Sequence, residues 1–414
     1  MALLRLSGPG AGAALRQLAG RDFLARRATL APLRDGGGEL IDTGLVTWFP
    51  GPASFTGEDV AEIGVTGGVA VVAAMLAALG AIDGLRLARP GEFARRAFDH
   101  GKLDLTEAEG LADLVDASSE AARRLALRQA AGGLKALAED WHQRLVALVA
   151  EIEASLDFAE DEADVSARML ADTAPAIAAL AAEMAAHSGR YAFAERLRRG
   201  VSIILIGAPN AGKSSLVNAL AMRDVAIVSE EAGTTRDLIE VAMDLDGVAA
   251  TLIDSAGLRE AGEAGAVESE GMRRARARAA ESDIVVHVLG DGEAAVPGTL
   301  AVRSKADLRA RPSSDGAIDL SVRTGAGLDS LQAELVARAA LLTGRGEDVL
   351  VTRERQRAAL DACRAALDMA AAEADTVLRA ESLRSALAAL GELTGRTSVE
   401  QILDVVFGRF CIGK

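Results

Sequence analysis

Residues 207–214 read GAPNAGKS, which fits the spacing G-x-x-x-x-G-K-[ST]. Glycines at these positions let consecutive backbone N–H groups wrap a row of phosphates. Lys213 would reach the β- and γ-phosphates, and the Ser214 hydroxyl would hold Mg²⁺. Asn210, Ala211, Gly212 and Ser215 complete the wrap. The chemistry on offer is transfer of a terminal phosphoryl group to water.

Four further elements follow in a fixed order. GTTRD at 233–237 offers Thr234 and a mobile Thr235 that would close on Mg²⁺. DSAG at 254–257 places Asp254 at a strand end, where a carboxylate holds the metal through water, with Ser255, Ala256 and Gly257 beside it. SKAD at 304–307 offers Asp307, which can accept from the two donors on one edge of guanine, while Lys305 would pack over the base. SVR at 321–323 precedes the loop TGAG and would touch guanine O6. Each element alone is weak, but five in order within about 120 residues point to a GTP-binding domain. One departure stands out. Ser304 occupies the place where this guanine loop usually begins with Asn, and its hydroxyl offers fewer hydrogen bonds than an amide.

These residues need a particular scaffold. VSIILI before the glycine loop is a continuous apolar run, as expected of a buried parallel strand. SLVNALA after it is helical, so the helix N-terminus adds a favourable field for the anion. VAATLI and TLAVR are the strands that would deliver Asp254 and Ser304. Residues 200–343 alternate strand and helix, which predicts an α/β domain with a mainly parallel sheet. Residues 101–199 and 344–414 are helical, and LTEAEGLADLVDAS at 105–118 begins with a Thr106/Glu109 pair resembling a capping box. Gly132 and Gly133 interrupt a second helical run. Residues 1–100 mix strands such as LIDTGLVTWF at 40–49 with the Gly/Pro loop PGPASFTG at 50–57. The α/β domain thus reads as an insertion into a helical domain, preceded by a separate N-terminal α+β domain.

The 414 residues carry 45 Lys and Arg against 60 Asp and Glu, a net charge of −15. That excludes a protein coated with nucleic acid over its whole surface, though not one with a local basic patch. Basic clusters stand at 196–199, 273–278 and 353–357, each read as a solvated helix face. The two cysteines, Cys363 and Cys411, are too few for a disulfide scaffold and fit a reducing, cytoplasmic setting. None of the four histidines has another His or Cys at zinc-ligand spacing. The most apolar stretch, residues 67–82, is shorter than a bilayer span and predicts a buried Ala-rich helix. The opening residues MALLRLSGPG show no charged leader followed by a long apolar stretch, so a secretory signal is not expected from them.

Water activation needs a separate reading. Leu258 follows the DSAG glycine, where Ras-type enzymes carry the water-orienting Gln. Asn210 has two readings: it could help hold a monovalent cation beside the β–γ bridge, or it could hydrogen-bond its own loop. Spacing alone favours the second.

The wording of these motifs resembles the MnmE (TrmE) family of tRNA modification GTPases, essentially end to end. The likeness runs through FPGPASFTGEDV at 49–60, ARPGEFARRAFDHGKLDLTEAEGLADLVDASS at 88–119, GAPNAGKSSLVNAL at 207–220, EEAGTTRD at 230–237, DSAGLRE at 254–260 and the terminal CIGK. It implies a homodimer with an N-terminal tetrahydrofolate-binding domain (1–100), a helical domain (101–199 and 344–414) and an inserted potassium-activated Ras-like GTPase domain (200–343). It also implies a flavin-dependent partner, MnmG (GidA), and modification of the wobble uridine of certain tRNAs. Carried across, K⁺ would be held by Asn210, Ser229, Glu231 and Thr234, which reverses the reading from spacing. Mg²⁺ would be held by Ser214 and Thr235, and Glu268 would orient the attacking water. A 5-formyl- or methylene-tetrahydrofolate would sit on Arg5, Glu62, Lys102 and Lys414, where Arg or Lys would pair with the glutamate tail and Glu62 with the pterin. Cys411 would be a candidate reactive thiol. Thr66 stands where the family has a histidine, and Met1 lies almost on the LRLSG element. The competing reading is a ribosome-assembly GTPase that binds ribosomal RNA, which leaves FTGEDV and CIGK unexplained.

Overall fold

The computed structural model describes residues 1–158, 163–222, 240–254, 278–290, 293–309, 316–344, 349–396 and 406–408, with side chains of 156–172 left aside. The chain forms two compact units, one of residues 1–112, 129–173 and 372–414, the other of 113–128 and 174–371.

The first unit opens with an antiparallel sheet of β1 (Ala2–Ser7), β2 (Thr29–Arg34), β3 (Leu40–Phe49) and β4 (Val60–Val65), in the order β1-β4-β3-β2. Inward residues alternate with outward ones, so Leu4, Leu6, Ala31, Leu33, Val46 and Ile63 build one core face. Helices α1 (Ala11–Ala19) and α2 (Val69–Gly80) contribute Leu15, Leu18, Met75 and Leu79 to that core. The apolar stretch at 67–82 is therefore helical as expected, but only Met75 and Leu79 of α2 are buried and Val69 and Leu76 are exposed. An all-apolar helix carries no periodic mark of which face turns inward. Among the described residues no helix is long and apolar enough to cross a membrane.

Helices α3 (Glu92–Asp99), α4 (Leu105–Asp116), α5 (Glu120–Ala130), α6 (Gly133–Phe158), α7 (Ala163–Ser188) and α8 (Tyr191–Arg199) follow. The break between α5 and α6 falls at the two glycines. The capping box of α4 lies two residues earlier than Thr106/Glu109. The Asp104 carboxylate accepts from the Glu107 N–H at 2.8 Å, and Glu107 accepts from the Asp104 N–H at 2.7 Å. Thr106 and Glu109 are buried instead. Glu58 of the FTGEDV stretch and Glu92 of the RPGEFARR stretch share the Arg96 guanidinium, at 2.8 and 2.7 Å. Arg86 chiefly, with the Arg89 N–H and Arg96, holds the Glu92 carboxyl down at about 2.

The second unit carries a six-stranded sheet of β5 (Val201–Ile206), β6 (Glu240–Leu245), β7 (Val248–Asp254), β8 (Ile284–Leu289), β9 (Leu300–Arg303) and β10 (Ile318–Asp319), in the order β10-β9-β8-β5-β7-β6. All neighbours are parallel except β6 with β7. β5 lies at the centre between β7 and β8, which is why Val201, Ile203, Ile204 and Leu205 are all buried. Helix α9 (Lys213–Ala221) follows the glycine loop. Helices α10 (Leu328–Thr343), α11 (Glu354–Ala372) and α12 (Thr376–Thr394) follow, α12 belonging to the first unit.

Candidate functional site

The site grows from the end of β5. Gly207 has φ +144°, and a Cβ there would lie 2.2 Å from the Val288 carbonyl oxygen, so only glycine lets the loop leave the sheet. Gly212 has φ +97°, and a Cβ there would lie 3.2 Å from the Ser304 hydroxyl. Between them Asn210 adopts φ +60°, a left-handed conformation that Asn tolerates. The loop then runs straight into α9.

Lys213 is 5% exposed. Its ammonium donates to the Gly207 and Ala208 carbonyls at 3.0 and 2.9 Å, so the charge is held inside the curve of the loop. The Ser214 hydroxyl donates to the Asp254 carboxylate at 2.6 Å. Asp254 ends β7 in register with Leu205 of β5, so the parallel pairing itself brings the carboxylate to the loop. A hydroxyl beside a buried carboxylate is the hard-oxygen donor set that suits Mg²⁺. Among the described residues no cluster of three or more His, Cys, Asp or Glu side chains forms a metal site.

The guanine loop docks on the phosphate loop. The Ser304 hydroxyl donates to the Ala211 carbonyl and is buried, so the short side chain ties the two loops together. The Lys305 ammonium donates to the Asn210 carbonyl at 3.0 Å and makes a second tie. A pocket of about 220 Å³ lies beside them, lined by Pro209, Asn210, Leu289, Lys305, Leu308 and Arg309 among others. Asp307 begins the short 3₁₀ turn Ala306–Leu308 together with its neighbours. Its carboxylate accepts from the Ser321 hydroxyl at 2.6 Å and pairs with Arg323 at 2.9 Å. The Ser321 bond first, and the Arg323 charge after it, hold Asp307 below the usual carboxylate range. The SVR element was expected at guanine O6. In this structure its Ser321 and Arg323 side chains grip the Asp307 carboxylate.

One participant carries no sequence signal. Arg309 donates to the Ser304 carbonyl and pairs with Asp319 at 2.8 Å, fixing the guanine loop to β10. Thr234, Thr235, Ser229, Glu231, Ser255, Ala256, Gly257, Leu258, Glu268, Cys411 and Lys414 lie outside the described residues. Ser215 is exposed on the first turn of α9.

In the first unit, β1 and β4 pair Arg5 with Glu62. The side chains meet at 2.8 Å, and the Arg5 guanidinium lies 5.7 Å from the ring centres of both Phe55 and Phe93. Lys102 comes close to Gly57, its Cε 3.4 Å from where a Cβ would stand. A ligand group that meets Glu62 therefore meets Arg5 too. Thr66 donates its N–H to Asp42 at 2.7 Å. Cys363 is fully buried on α11, and burial pushes its thiol up to about 12, which makes it inert.

The basic clusters are engaged internally. Arg196 and Arg199 pair with Asp283 at 2.7 and 2.9 Å, and Arg353 pairs with Asp113 at 2.6 Å. Arg357 pairs with Glu354 and with Asp361. The solvated-face reading of 196–199 and 353–357 gives way to one of structural ion pairs. Of 273–278 only Arg278 is described, 3.8 Å from Glu240.

Comparison with known proteins adds the following. The family model described as the MnmE helical domain matches residues 105–411, and that of the TrmE N-terminus matches residues 1–102. A "tRNA modification GTPase MnmE" of Parvibaculum lavamentivorans is 50% identical, covering 100% of this chain and 97% of the relative. One from a Methylobacterium species is 50% identical over 100% and 96%, and one from Rhodospirillum rubrum is 49% identical over 100% and 96%.

Proposed function

The chain belongs to the MnmE family of tRNA modification GTPases, and we propose that it is a potassium-activated GTPase acting in tRNA wobble-uridine modification. With the flavoprotein MnmG (GidA), it would use a 5-formyl- or methylene-tetrahydrofolate to build a carboxymethylaminomethyl-type group at C5 of that uridine. The observation that carries the GTPase part is the Lys213–Ser214–Asp254 arrangement at the end of the central parallel strands.

Lys213 would leave the loop carbonyls for the β- and γ-phosphates, exchanging two neutral acceptors for anionic ones. Ser214, with Thr235, would hold Mg²⁺, and Asp254 would orient the metal's water. Asn210, with Ser229, Glu231 and Thr234, would hold K⁺. Such a cation supplies positive charge at the β–γ bridge, the role an arginine finger plays elsewhere. Glu268 would position the attacking water, since Leu258 has no group to do so. Asp307 and Lys305 would read the base, and Ser304 would keep the guanine loop on the phosphate loop.

The G domain would span 200–343, the helical domain 101–199 and 344–414, and the folate domain 1–100. The Arg5–Glu62 pair would meet the pterin end, leaving Lys102 and Lys414 for the tail carboxylates. Homodimerisation is supported by the outer face of the first sheet. Leu3, Gly64, Leu45 and Leu30 stand in one cross-strand row, and the three leucines are 60%, 47% and 66% exposed. A fully buried leucine contributes roughly 1.5–3 kcal/mol, and a second copy covering these three would recover the part that their exposed area represents. A cytoplasmic location fits a tRNA substrate.

The test is chemical. Bulk tRNA from cells lacking this chain is expected to lose the C5-modified wobble nucleosides by mass spectrometry. The wild-type chain restores them and Ser214→Ala does not. Unchanged nucleosides together with accumulated immature ribosomal subunits would instead favour the ribosome-assembly reading.

A further inference from the structure

An acidic chain that works on tRNA must concentrate positive charge somewhere, and two sequence clusters that promised it are tied up by carboxylates. Another segment behaves differently. Residues 16–27, RQLAGRDFLARR, carry four arginines against one aspartate, whereas the whole chain has a net charge of −15. Arg16 lies in the last turn of α1, and its guanidinium stands 3.6 Å from Asp22, both groups well exposed. Among the described residues no carboxylate pairs with Arg21, Arg26 or Arg27, and all three are exposed.

The loop is ordered before any ligand arrives. The Arg26 N–H donates to the Trp48 carbonyl at 2.7 Å, and Ala25 forms a parallel bridge with Trp48. The Arg26 side chain lies 5.7 Å from the centre of the Phe49 ring and donates to the Ala53 carbonyl. Arg26 is thus the clamp that fastens the loop to the end of β3. Arg21 is laid 5.6 Å from the centre of the Phe23 ring, which holds a long side chain in place. Pre-set arginines lose less freedom on binding than free ones, so more of each contact survives as affinity. A guanidinium matches phosphate geometry and stacks on unpaired bases.

We propose that residues 16–27 form a tRNA-docking surface on the N-terminal sheet. Arg16, Arg21 and Arg27 grip backbone phosphates, and Arg26 holds the loop in place. The inference rests on the tRNA reading of the preceding section. It adds a surface that none of the nucleotide or folate residues shares.

The test is tRNA affinity of the full-length chain, measured by fluorescence anisotropy between about 50 and 200 mM salt. The slope of log K against log salt counts the phosphates neutralised, at about 0.7–0.9 per contact. The double variant Arg21→Ala/Arg27→Ala is expected to flatten that slope by about 1.4–1.8 and to weaken binding on the order of tenfold, for every tRNA alike. Its GTP turnover should stay at the wild-type level. Arg124→Ala is the control, since that guanidinium is equally exposed but held by Glu120 at 2.7 Å. It should leave the slope as it is. An unchanged slope in the double variant would overturn the proposal, as would an equal loss in the control, which would mark a general charge effect. A wild-type chain that binds no tRNA would overturn both this surface and the tRNA reading. A chain that binds phosphatidylglycerol vesicles in place of tRNA would give the loop to a membrane surface instead.

Discussion

Asp307→Asn should exchange guanine for xanthine. The ratio of GTP to XTP affinity is expected to fall on the order of 10²–10⁴-fold, read by competition of both nucleotides against a fluorescent guanosine diphosphate. Guanine presents two donors, N1–H and the C2 amino group, and a carboxylate accepts both. Xanthine replaces the amino group by a carbonyl, which the Asn amide N–H can meet while its oxygen still accepts from N1–H. The surroundings allow the exchange. Ser321 donates to one Asp307 oxygen at 2.6 Å and can donate equally to an amide oxygen. Arg323, 75% exposed, gives up its ion pair and keeps its hydration. The pH dependence follows from the same contacts. Asp307 is held below the usual carboxylate range by the Ser321 hydrogen bond first and by Arg323 second. Guanine preference should therefore persist as pH falls through the ordinary Asp range near 4 and be lost only below it. An unaltered GTP:XTP ratio in the variant would show that Asp307 does not face the base.

The second large effect belongs to Lys213. Lys213→Ala should lower GTP turnover by about 10²–10³-fold, the usual result of removing one preorganised positive donor from a developing anionic transition state. The folded state should survive. In the absence of phosphate the ammonium caps the carbonyls of Gly207 and Ala208, and those oxygens lie on an open loop where water can replace it. Near-normal turnover, measured as released phosphate with the thermal transition unchanged, would mean that another cation carries the phosphates.

What could be read in advance and what could not differ in range. The phosphate loop is legible because its chemistry needs contiguous residues, and glycines at 207 and 212 are demanded by the Val288 carbonyl and the Ser304 side chain. Strand ends are legible because buried parallel strands are continuous apolar runs, so Asp254 could be placed at the loop from VAATLI alone. Arg309 could not be found, because its partners, the Ser304 carbonyl and Asp319, are fixed by how two loops fold back rather than by any period. The basic clusters misled for the same reason. Arg353 finds Asp113 from 240 positions away, and Arg196 finds Asp283 from 87. Side-chain charge is visible in a sequence, but its neutralisation is a tertiary event. Arg5 and Glu62, 57 positions apart, look like independent charges until the antiparallel register of β1 and β4 sets them face to face. The capping box slipped by two because a Thr–Glu pair and an Asp–Glu pair overlap at 104–109. Only the burial of Leu105 and Thr106 decides between them.

GTP hydrolysis is proposed to rest on a cation held by the phosphate loop in place of the water-orienting glutamine. The direct measurement is single-turnover GTP hydrolysis in K⁺ and in Na⁺ buffer at equal ionic strength, for the wild-type chain and for Asn210→Ala. Faster hydrolysis in K⁺ is expected for the wild type, and no difference between the two buffers for the variant, with nucleotide still bound. Equal rates in K⁺ and Na⁺ for the wild type, or a K⁺ response that survives Asn210→Ala, would contradict it.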